Sequence, residues 1–314
     1  SKWYTSFFKA FSDKFNISDK GELVLYLGVH IEWAPDRSSV VLTQTRAIED
    51  TLARFGMTDC KPAHTPHELG FDTAAVSPDN TSPSFPYLAC IGALLWLARN
   101  TMHETLQAVI ELSRFSQNFT SYHVEGCKRV LRYLKGKLGL GLQYNKSSQT
   151  WVNGTMPLEF KLYTDSDWAR CKATRRSTGG YVLTLFGNLL SASSKRFPTV
   201  ALSTMEAEYM TVSEACRELM HFRNIAKEFE IFKVPDNIEV FCDNKSAIFV
   251  SENLVNNSRS KHIDIRFHFI REKVEQKIMK LSHIATELNL ADIFTKPLTS
   301  EVFSNFTNQI MGRR

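Results

Sequence analysis

Four acidic residues occupy positions where α/β proteins commonly place a functional site. Asp165 and Asp243 lie near the ends of predicted strands, Glu208 lies in a predicted helix, and Asp292 lies at the start of another. Strand ends that face the start of a helix are where such folds bind their ligands. Each aspartate alone would usually be a turn residue or a helix cap, and the spacing leaves open whether the four residues meet.

Carboxylates that converge in one pocket repel each other unless cations lie between them. Hard oxygen ligands favour Mg²⁺ or Mn²⁺. Two such ions about 3.5–4 Å apart can activate a water molecule and stabilise the leaving oxygen of a phosphodiester. If the four residues meet, their chemistry predicts metal-dependent hydrolysis of a phosphodiester.

Two glutamates compete for the helical position, and the periodicity of the helix favours Glu208. An apolar stripe recurs at spacings of four and three residues, through Met205, Tyr209, Val212, Cys216 and Leu219. At about 100° per residue, Glu208 lies about 60° from the centre of the stripe and Glu206 about 100°. Ser203 and Glu206 form an S-x-x-E pattern, so Glu206 is expected to cap the first turn or to face solvent.

The second half of the sequence predicts a mixed α/β sheet. Strands are expected at residues 160–168, 181–186 and 189–193, with the turn dipeptide Gly187-Asn188 between the last two. A helix opens at Ser203. A strand (238–242), two helices (245–252 and 261–276), a fifth strand (277–283) and a helix from about residue 288 follow. Three antiparallel strands followed by alternating helices and strands are typical of such a sheet.

The first half is predicted to be mainly helical with a short β segment. A strand broken at Gly28 covers residues 23–33, and a second short strand covers 40–42. Helices are expected at 44–55, 86–99, 106–119 and 123–135, with a polar loop at 58–83 and a polar, aperiodic linker beginning at residue 145. Lys128, Arg132 and Lys135 could track a phosphate backbone or form a solvated helix face.

Composition constrains the class of protein only broadly. A length of 314 residues suffices for two domains. The 38 basic and 33 acidic residues nearly balance, so charge supports a nucleic-acid partner only weakly. The scattered cysteines suggest buried thiols in a reducing compartment, and no apolar run is long enough to cross a membrane. The start has no signal-peptide pattern and no initiator Met, which suggests a piece of a longer chain.

A set of motifs in the second half resembles the ribonuclease H (RNase H) domain of copia-type retrotransposon polyproteins. They occur in the family's order as YTDSDWA at 163–169, RSTGGY at 176–181, EAEY at 206–209, DNKSAI at 243–248, SKHIDI at 260–265 and ADIFTKPL at 291–298. The resemblance implies an RNase H-like mixed five-stranded sheet with flanking helices. It also implies a catalytic, metal-binding site of Asp165, Glu208, Asp243 and Asp292 with two ions, Mg²⁺ or Mn²⁺.

The first half resembles the end of the same family's reverse transcriptase. The resemblance rests on LGVHI at 27–31, Tyr87 with IGALLWL at 91–97, and VLRYLKG at 130–136. It implies the end of the palm with the primer grip at 1–65, a helical thumb-like region at 66–144, a linker at 145–157, RNase H at 158–300 and a C-terminal tail at 301–314. The polymerase motif Tyr-x-Asp-Asp is absent from the sequence, so the chain is not expected to polymerise alone.

The resemblance also implies partners and a location. An RNA–DNA hybrid and a template–primer are expected, as are the missing upstream palm and fingers of the reverse transcriptase, but no membrane. The expected location is the cytoplasm, inside virus-like particles, with the nucleus as a further location. A catalytically inactive or domesticated nucleic-acid-binding remnant is the alternative function.

Further residues are candidates for accessory roles. Asp167 shares a strand face with Asp165 by the two-residue period, so it could lie just outside the expected metal ligands. Lys195 and Arg196 could contact phosphates or form an exposed loop pair. Many RNases H carry a mobile His near the last Asp that helps to release product; His283 is the candidate here, although a plain surface His is favoured.

Overall fold

The computed structural model describes residues 2–71, 84–171, 174–252 and 261–313. The later part of the predicted polar loop (72–83) and Ser260 of the SKHIDI motif lie outside the described residues. Within the described ranges, no helix is both long and apolar enough to cross a lipid bilayer. The cysteines are free thiols, and all of them except Cys60 are buried.

The first half combines helices with a small antiparallel sheet. Its elements are α1 (Lys2–Ser12), β1 (Leu25–Tyr26), β2 (Val29–Trp33), β3 (Ser39–Thr43), α2 (Thr45–Arg54), α3 (Tyr87–Asn100), α4 (Leu106–Ser113), α5 (Ser121–Lys135) and β4 (Leu142–Asn145). The four strands pair antiparallel in the order β1-β2-β3-β4. The strand break expected at Gly28 is confirmed, since this glycine has a positive φ of 78° between β1 and β2.

The second half contains a mixed five-stranded sheet. Its elements are β5 (Met156–Pro157), β6 (Phe160–Asp167), β7 (Thr178–Leu185), β8 (Asn188–Arg196), α6 (Thr204–Glu228), β9 (Phe232–Lys233), β10 (Ile238–Cys242), α7 (Lys245–Glu252), α8 (Lys261–Glu275), β11 (Met279–His283) and α9 (Ser300–Ile310). The sheet order is β11-β10-β6-β7-β8. Strands β6, β7 and β8 pair antiparallel, whereas β10 pairs parallel with both β6 and β11. The predicted fold class is confirmed.

Helix α6 covers one face of this sheet as its apolar stripe predicts. Tyr209, Val212, Cys216 and Leu219 are fully buried, against Leu162 and Val240 among other residues of the sheet. A fully buried side chain of this size contributes about 1.5–3 kcal/mol to folding. The helix is therefore held firmly enough to position Glu208, which lies one turn from its beginning.

Two adjacent glycines in β7 allow a second segment to approach the sheet closely. The predicted last helix is instead a 3-10 segment, Leu290–Phe294, packed against β6 and β7. A Cβ on Gly180 would lie 2.8 Å from the Cβ of Phe294, closer than two carbon atoms can pack. Gly179 likewise would bring a Cβ to 2.5 Å from Thr211 on α6. The glycine pair thus lets the 3-10 segment bring Asp292, and α6 bring Glu208, close to β6.

The apolar core continues across the predicted domain boundary. One cluster joins α3, α4 and α5 with Val182 and Leu189 of the sheet, and with Phe294 of the 3-10 segment. The segment 301–314, expected as a tail, instead contributes most of α9, whose Phe303 and Phe306 enter the same cluster. This continuity is evidence against independent packing of the two halves, while the domain boundaries themselves stay a prediction.

Candidate active site

Asp165 and Asp243 lie on neighbouring strands at the same edge of the sheet. Strands β6 and β10 are parallel partners, and Tyr163 is opposite Phe241. Extending this register by two residues places Asp243 beside Asp165. The Thr164 hydroxyl donates a hydrogen bond to the Phe241 carbonyl over 3.0 Å and fixes the register at this point. The two carboxylates therefore lie on adjacent strands, as a shared site requires, and their role as site residues stays a prediction.

Glu208 faces these strands, and Glu206 caps the helix. Ser166, next to Asp165, donates to Oε1 of Glu208 from both its backbone N–H (3.1 Å) and its hydroxyl (2.8 Å). The Ser203 hydroxyl accepts a hydrogen bond from the Glu206 N–H, and the Glu206 carboxylate accepts one from the Leu202 N–H. The predicted choice of Glu208 for the sheet side, with Glu206 as a cap, is confirmed.

Asp292 is positioned by Asn289, which sequence reasoning did not identify. The Asn289 side-chain oxygen accepts from the Ala291 N–H and so caps the 3-10 segment. Its amide donates to the Thr164 carbonyl over 2.9 Å, which ties the segment to β6 beside Asp165. Three residues beyond Asp292, the Thr295 hydroxyl donates to Oδ2 of Asp165. The fourth acidic residue is thereby brought to the same strand end.

Burial and mutual repulsion characterise the electrostatics of the cluster. Burial, followed by the charge of Asp165, raises the pKa of Asp292 to about 7. The same two causes raise the pKa of Glu208 well above its usual value. Burial also raises the pKa of Asp165, and the Asp243 charge adds to this effect. Each of these carboxyls therefore lies within electrostatic reach of another member, as convergence requires.

The cluster is chemically suited to divalent cations. Asp292 is only 4% exposed, and within the described part of the chain its Oδ1 has no hydrogen-bond partner. A buried carboxylate oxygen left unpaired is costly. Ligand atoms of Glu208, Cys242 and Asp243 all lie within 4.8 Å of one another. Carboxylate oxygens that lack partners and repel each other fit Mg²⁺ or Mn²⁺, whose preferred ligands are hard oxygens.

Cys242 is a member of the cluster that the sequence analysis missed. Its thiol donates to Oε2 of Glu208 over 3.7 Å, and burial raises its pKa above the usual value. It therefore stays a neutral thiol beside the carboxylates. The two-residue alternation of β10, in which Val240 and Cys242 are both buried, could have indicated that this side chain faces α6.

A lysine also enters the cluster. Lys296 Nζ lies 2.9 Å from Oδ2 of Asp292, which is four residues earlier in the chain. Burial lowers the pKa of Lys296, but the carboxylates of Asp165, Asp292 and Asp243 outweigh this effect and raise it above its usual value. The ADIFTKPL motif contains this lysine, although only its Asp was assigned a role from the sequence.

The two accessory candidates lie near the cluster in different settings. Asp167, two residues beyond Asp165 on β6, pairs with Arg170 over 3.1 Å. Burial raises the pKa of Asp167, and the Arg170 charge opposes this effect. His283 is exposed at the end of β11, opposite Cys242 in the register. Their accessory roles stay predictions.

The predicted nucleic-acid-binding residues are distributed over two surfaces. Lys128, Arg132 and Lys135 lie on α5, which packs against α2, α3 and α4. Lys128 pairs with Glu125, and Arg132 donates to the Lys61 carbonyl. Lys195 and Arg196 lie on β8, where Lys195 pairs with Glu214 and Arg196 is 3.9 Å from the Cys171 sulfur. Contact of these residues with phosphates stays a prediction.

Comparison with known proteins places the chain among transposon proteins. No protein-family model matches the sequence. The chain is 33% identical over 299 residues to the retrovirus-related Pol polyprotein from transposon RE1 of Arabidopsis thaliana, covering 95% of this chain and 20% of that polyprotein. The corresponding polyprotein from transposon TNT 1-94 of Nicotiana tabacum is 33% identical over 298 residues, covering 93% and 22%.

Among solved structures, LC11-RNase H1 in complex with an RNA/DNA hybrid aligns with a TM-score of 0.35 and 22% identity, covering 44% of this chain and 94% of that chain. The chain spans about a fifth of the length of the curated polyproteins that it matches. It is similar to them across both of its halves. The chain belongs to the family of retrovirus-related Pol polyproteins of copia-type transposons.

Proposed function

We propose that residues 158–300 form a metal-dependent RNase H that hydrolyses the RNA strand of RNA–DNA hybrids during retrotransposon reverse transcription. The observation that carries this proposal is the parallel register of β6 and β10, which sets Asp165 beside Asp243. Glu208 and Asp292 approach the same strand end from two other elements. Membership of the Pol polyprotein family supports the same activity.

The four carboxylates would hold two divalent ions, Mg²⁺ or Mn²⁺. When bound, such ions supply an activated water and stabilise the charge of the leaving oxygen. The chain's own residues preorganise the ligands: Ser166 orients Glu208, and Thr295 orients Asp165. Because these hydrogen bonds exist before substrate arrives, little reorganisation remains to be done during the reaction.

The alternative is a transposon remnant, inactive or domesticated, that binds nucleic acid without cutting it. This reading would leave no reason to retain carboxylates whose burial and repulsion destabilise the fold. Three of the four are less than 5% exposed, and Oδ1 of Asp292 accepts no hydrogen bond from any residue that the structure describes. Retention of so costly an arrangement favours the active enzyme.

The first half is proposed to be an incomplete reverse transcriptase. It lacks the Tyr-x-Asp-Asp motif, so polymerisation would require a reverse transcriptase palm and fingers that this sequence does not contain. Its helical region would contact the template–primer and hold the hybrid next to the RNase H site. We place this activity in the cytoplasm, within virus-like particles, and in the nucleus.

The deciding experiment is cleavage of labelled RNA by the full 314-residue chain. An RNA–DNA hybrid should be cut internally in Mg²⁺ or Mn²⁺ and remain intact in chelator. Duplex RNA, single-stranded RNA and the DNA strand of the hybrid should remain uncut. Binding of the hybrid without cleavage in either metal would establish the alternative. Equal cutting of single-stranded RNA would refute the hybrid specificity.

A further inference from the structure

The Lys296 side chain brings a positive charge into the group of four carboxylates. Its Nζ lies 2.9 Å from Oδ2 of Asp292, and the side chain is 34% exposed. Lysine 296 follows Asp292 by four residues, and its backbone N–H donates to the Asp292 carbonyl over 3.2 Å. The two side chains therefore project from one turn, and the ammonium is tethered to the cluster by a flexible four-carbon stem.

The charge of this ammonium acts on more than its direct partner. Burial raises the pKa of Asp165 and of Asp167, and the Lys296 charge opposes this effect at both residues. In return, Asp165 and Asp243 stabilise the charged form of the lysine. One monovalent charge thus partly neutralises several carboxylates that belong to different elements.

Asp292 is only half satisfied by this arrangement. Its Oδ2 pairs with the ammonium, while its Oδ1 is buried and has no hydrogen-bond partner among the residues that the structure describes. A divalent cation that used either oxygen would lie close to the ammonium, and the two like charges would repel each other strongly in a buried setting. The lysine and the divalent cation therefore compete for the same carboxylate.

We propose that Lys296 is a tethered counter-ion that neutralises the cluster in the metal-free protein and is displaced from Asp292 when a divalent cation binds. The lysine then sets the concentration of divalent cation at which the site fills. This inference rests on the proposed function, because it requires the carboxylates to bind such a cation.

A purely structural ion pair makes the opposite prediction. Such a pair would remain in place when the cation binds, and its removal would leave cation affinity unchanged or reduce it by loosening Asp292. If Lys296 competes with the cation, removing its charge must instead increase the affinity of the site for the cation. Affinity for the cation therefore separates the two roles without reference to cleavage.

The first experiment measures Mn²⁺ binding to the full chain by electron paramagnetic resonance, without nucleic acid. Lys296→Met keeps the length of the stem and removes the charge. Lys280→Met is the matched control, because Lys280 pairs with Glu239 over 3.0 Å on the same sheet and its side chain is 52% exposed. Lys296→Met should bind Mn²⁺ about tenfold more tightly than wild type, which corresponds to about 1.4 kcal/mol. Lys280→Met should stay within about twofold, a difference of about 0.4 kcal/mol.

The outcomes of this titration distinguish the two proposals. If wild type binds Mn²⁺ and Lys296→Met binds it equally or less tightly, the counter-ion role is overturned while the proposed function stands. If neither wild type nor Lys296→Met binds Mn²⁺, the metal site fails, and the proposed function and this inference fail together.

A second experiment uses only wild-type protein and so does not depend on the folding of a variant. Lysines are labelled with an amine-reactive reagent in chelator and in excess Mg²⁺, and labelling is quantified residue by residue by mass spectrometry. Mg²⁺ should raise the labelling rate of Lys296 severalfold and leave that of Lys280 unchanged. An unchanged rate at Lys296, under conditions in which the cation is bound, overturns the inference.

Discussion

Replacing Asp243 by asparagine should have opposite effects on activity and on stability. Asp243 follows β10 directly, is half-buried, and accepts a hydrogen bond from the Thr286 hydroxyl over 2.9 Å. Asparagine keeps the shape and an oxygen that can accept this bond. The substitution therefore removes one negative charge from the cluster with little change in local structure.

The expected loss of activity follows from the charge that the metal pair would need. Removing one group that stabilises charge in an active site commonly costs about 3–4 kcal/mol, or roughly two to three orders of magnitude in rate. Affinity for the hybrid should remain close to wild type, because lysine and arginine contacts to phosphates dominate it and these are untouched.

The expected gain in stability follows from relief of repulsion in the metal-free protein. Carboxylate atoms of Asp243 and Glu208 lie within 4.8 Å. Two full charges at that separation repel by about 3.5 kcal/mol at an effective dielectric constant of about 20. Partial protonation of Glu208 and screening at the half-exposed Asp243 reduce this value, so we expect about 1 kcal/mol, or about 2 °C in Tm.

The assay pairs single-turnover cleavage of a labelled hybrid in Mg²⁺ with hybrid binding and thermal unfolding in chelator at pH 8. Asp236→Asn is the matched control. Asp236 precedes the same strand, at its opposite end, and its side chain is 80% exposed beside Arg223. The control should cut at the wild-type rate and show no gain in Tm.

Two results would refute this reasoning separately. Cleavage by Asp243→Asn at near wild-type rate would reduce Asp243 to a turn residue and remove it from the catalytic set. If metal-free Asp243→Asn is less stable than wild type, the Asp243 charge does not destabilise the fold by repelling the other carboxylates. The stability result would not bear on whether Asp243 is catalytic, which the cleavage rate alone decides.

Three further expectations follow from the described contacts. Glu208→Gln should abolish cleavage, whereas Glu206→Gln should retain most of the rate and cost about 1 kcal/mol of stability through the weakened helix cap; cleavage kinetics and urea unfolding check both. Burial and Asp165 raise the pKa of Asp292 to about 7. Its neutral form is therefore favoured in the fold, and metal-free wild type should lose stability as the pH rises from 5 to 8; Asp292→Asn should lose less, as Tm against pH would show. A protease cut within 146–151 should leave both fragments associated on a sizing column, because one core spans the boundary; elution of two separate fragments would contradict this.

Local patterns in the sequence were sufficient to place the individual elements of the site. The predicted bounds of β10 match those observed, because an alternating apolar run between a turn and a polar pair is short and unambiguous. The apolar stripe of α6 selected Glu208 over Glu206, because helical periodicity fixes the direction of each side chain relative to the buried face. These are properties of neighbouring residues, which a single sequence contains.

The contacts that assemble the site are between residues distant in sequence, and no local pattern encodes them. The hydroxyl of Thr295 and the amide of Asn289 reach β6 across 130 and 125 residues. Lys296 occupies a position that helical spacing could suggest, but its ammonium could equally point to solvent. Such contacts depend on the close packing that Gly180 permits, and the structural reason for this glycine emerges only with its neighbour Phe294 in place.

The position of the fourth carboxylate depends on the first half of the chain. Leu290, Ile293 and Phe294 flank Asp292 on the 3-10 segment, and all three belong to the apolar core that α3, α4 and α5 build. Beyond that segment, α9 buries Phe306 in the same core. Beyond α9, Arg313 pairs with the buried Glu104, 3.2 Å apart. Asp165, Glu208 and Asp243 are fixed by the sheet and α6, whereas the segment that carries Asp292 packs both on β6 and β7 and on the core that α3, α4 and α5 build. Movement of those helices would therefore be transmitted to Asp292 and to the lysine that pairs with it.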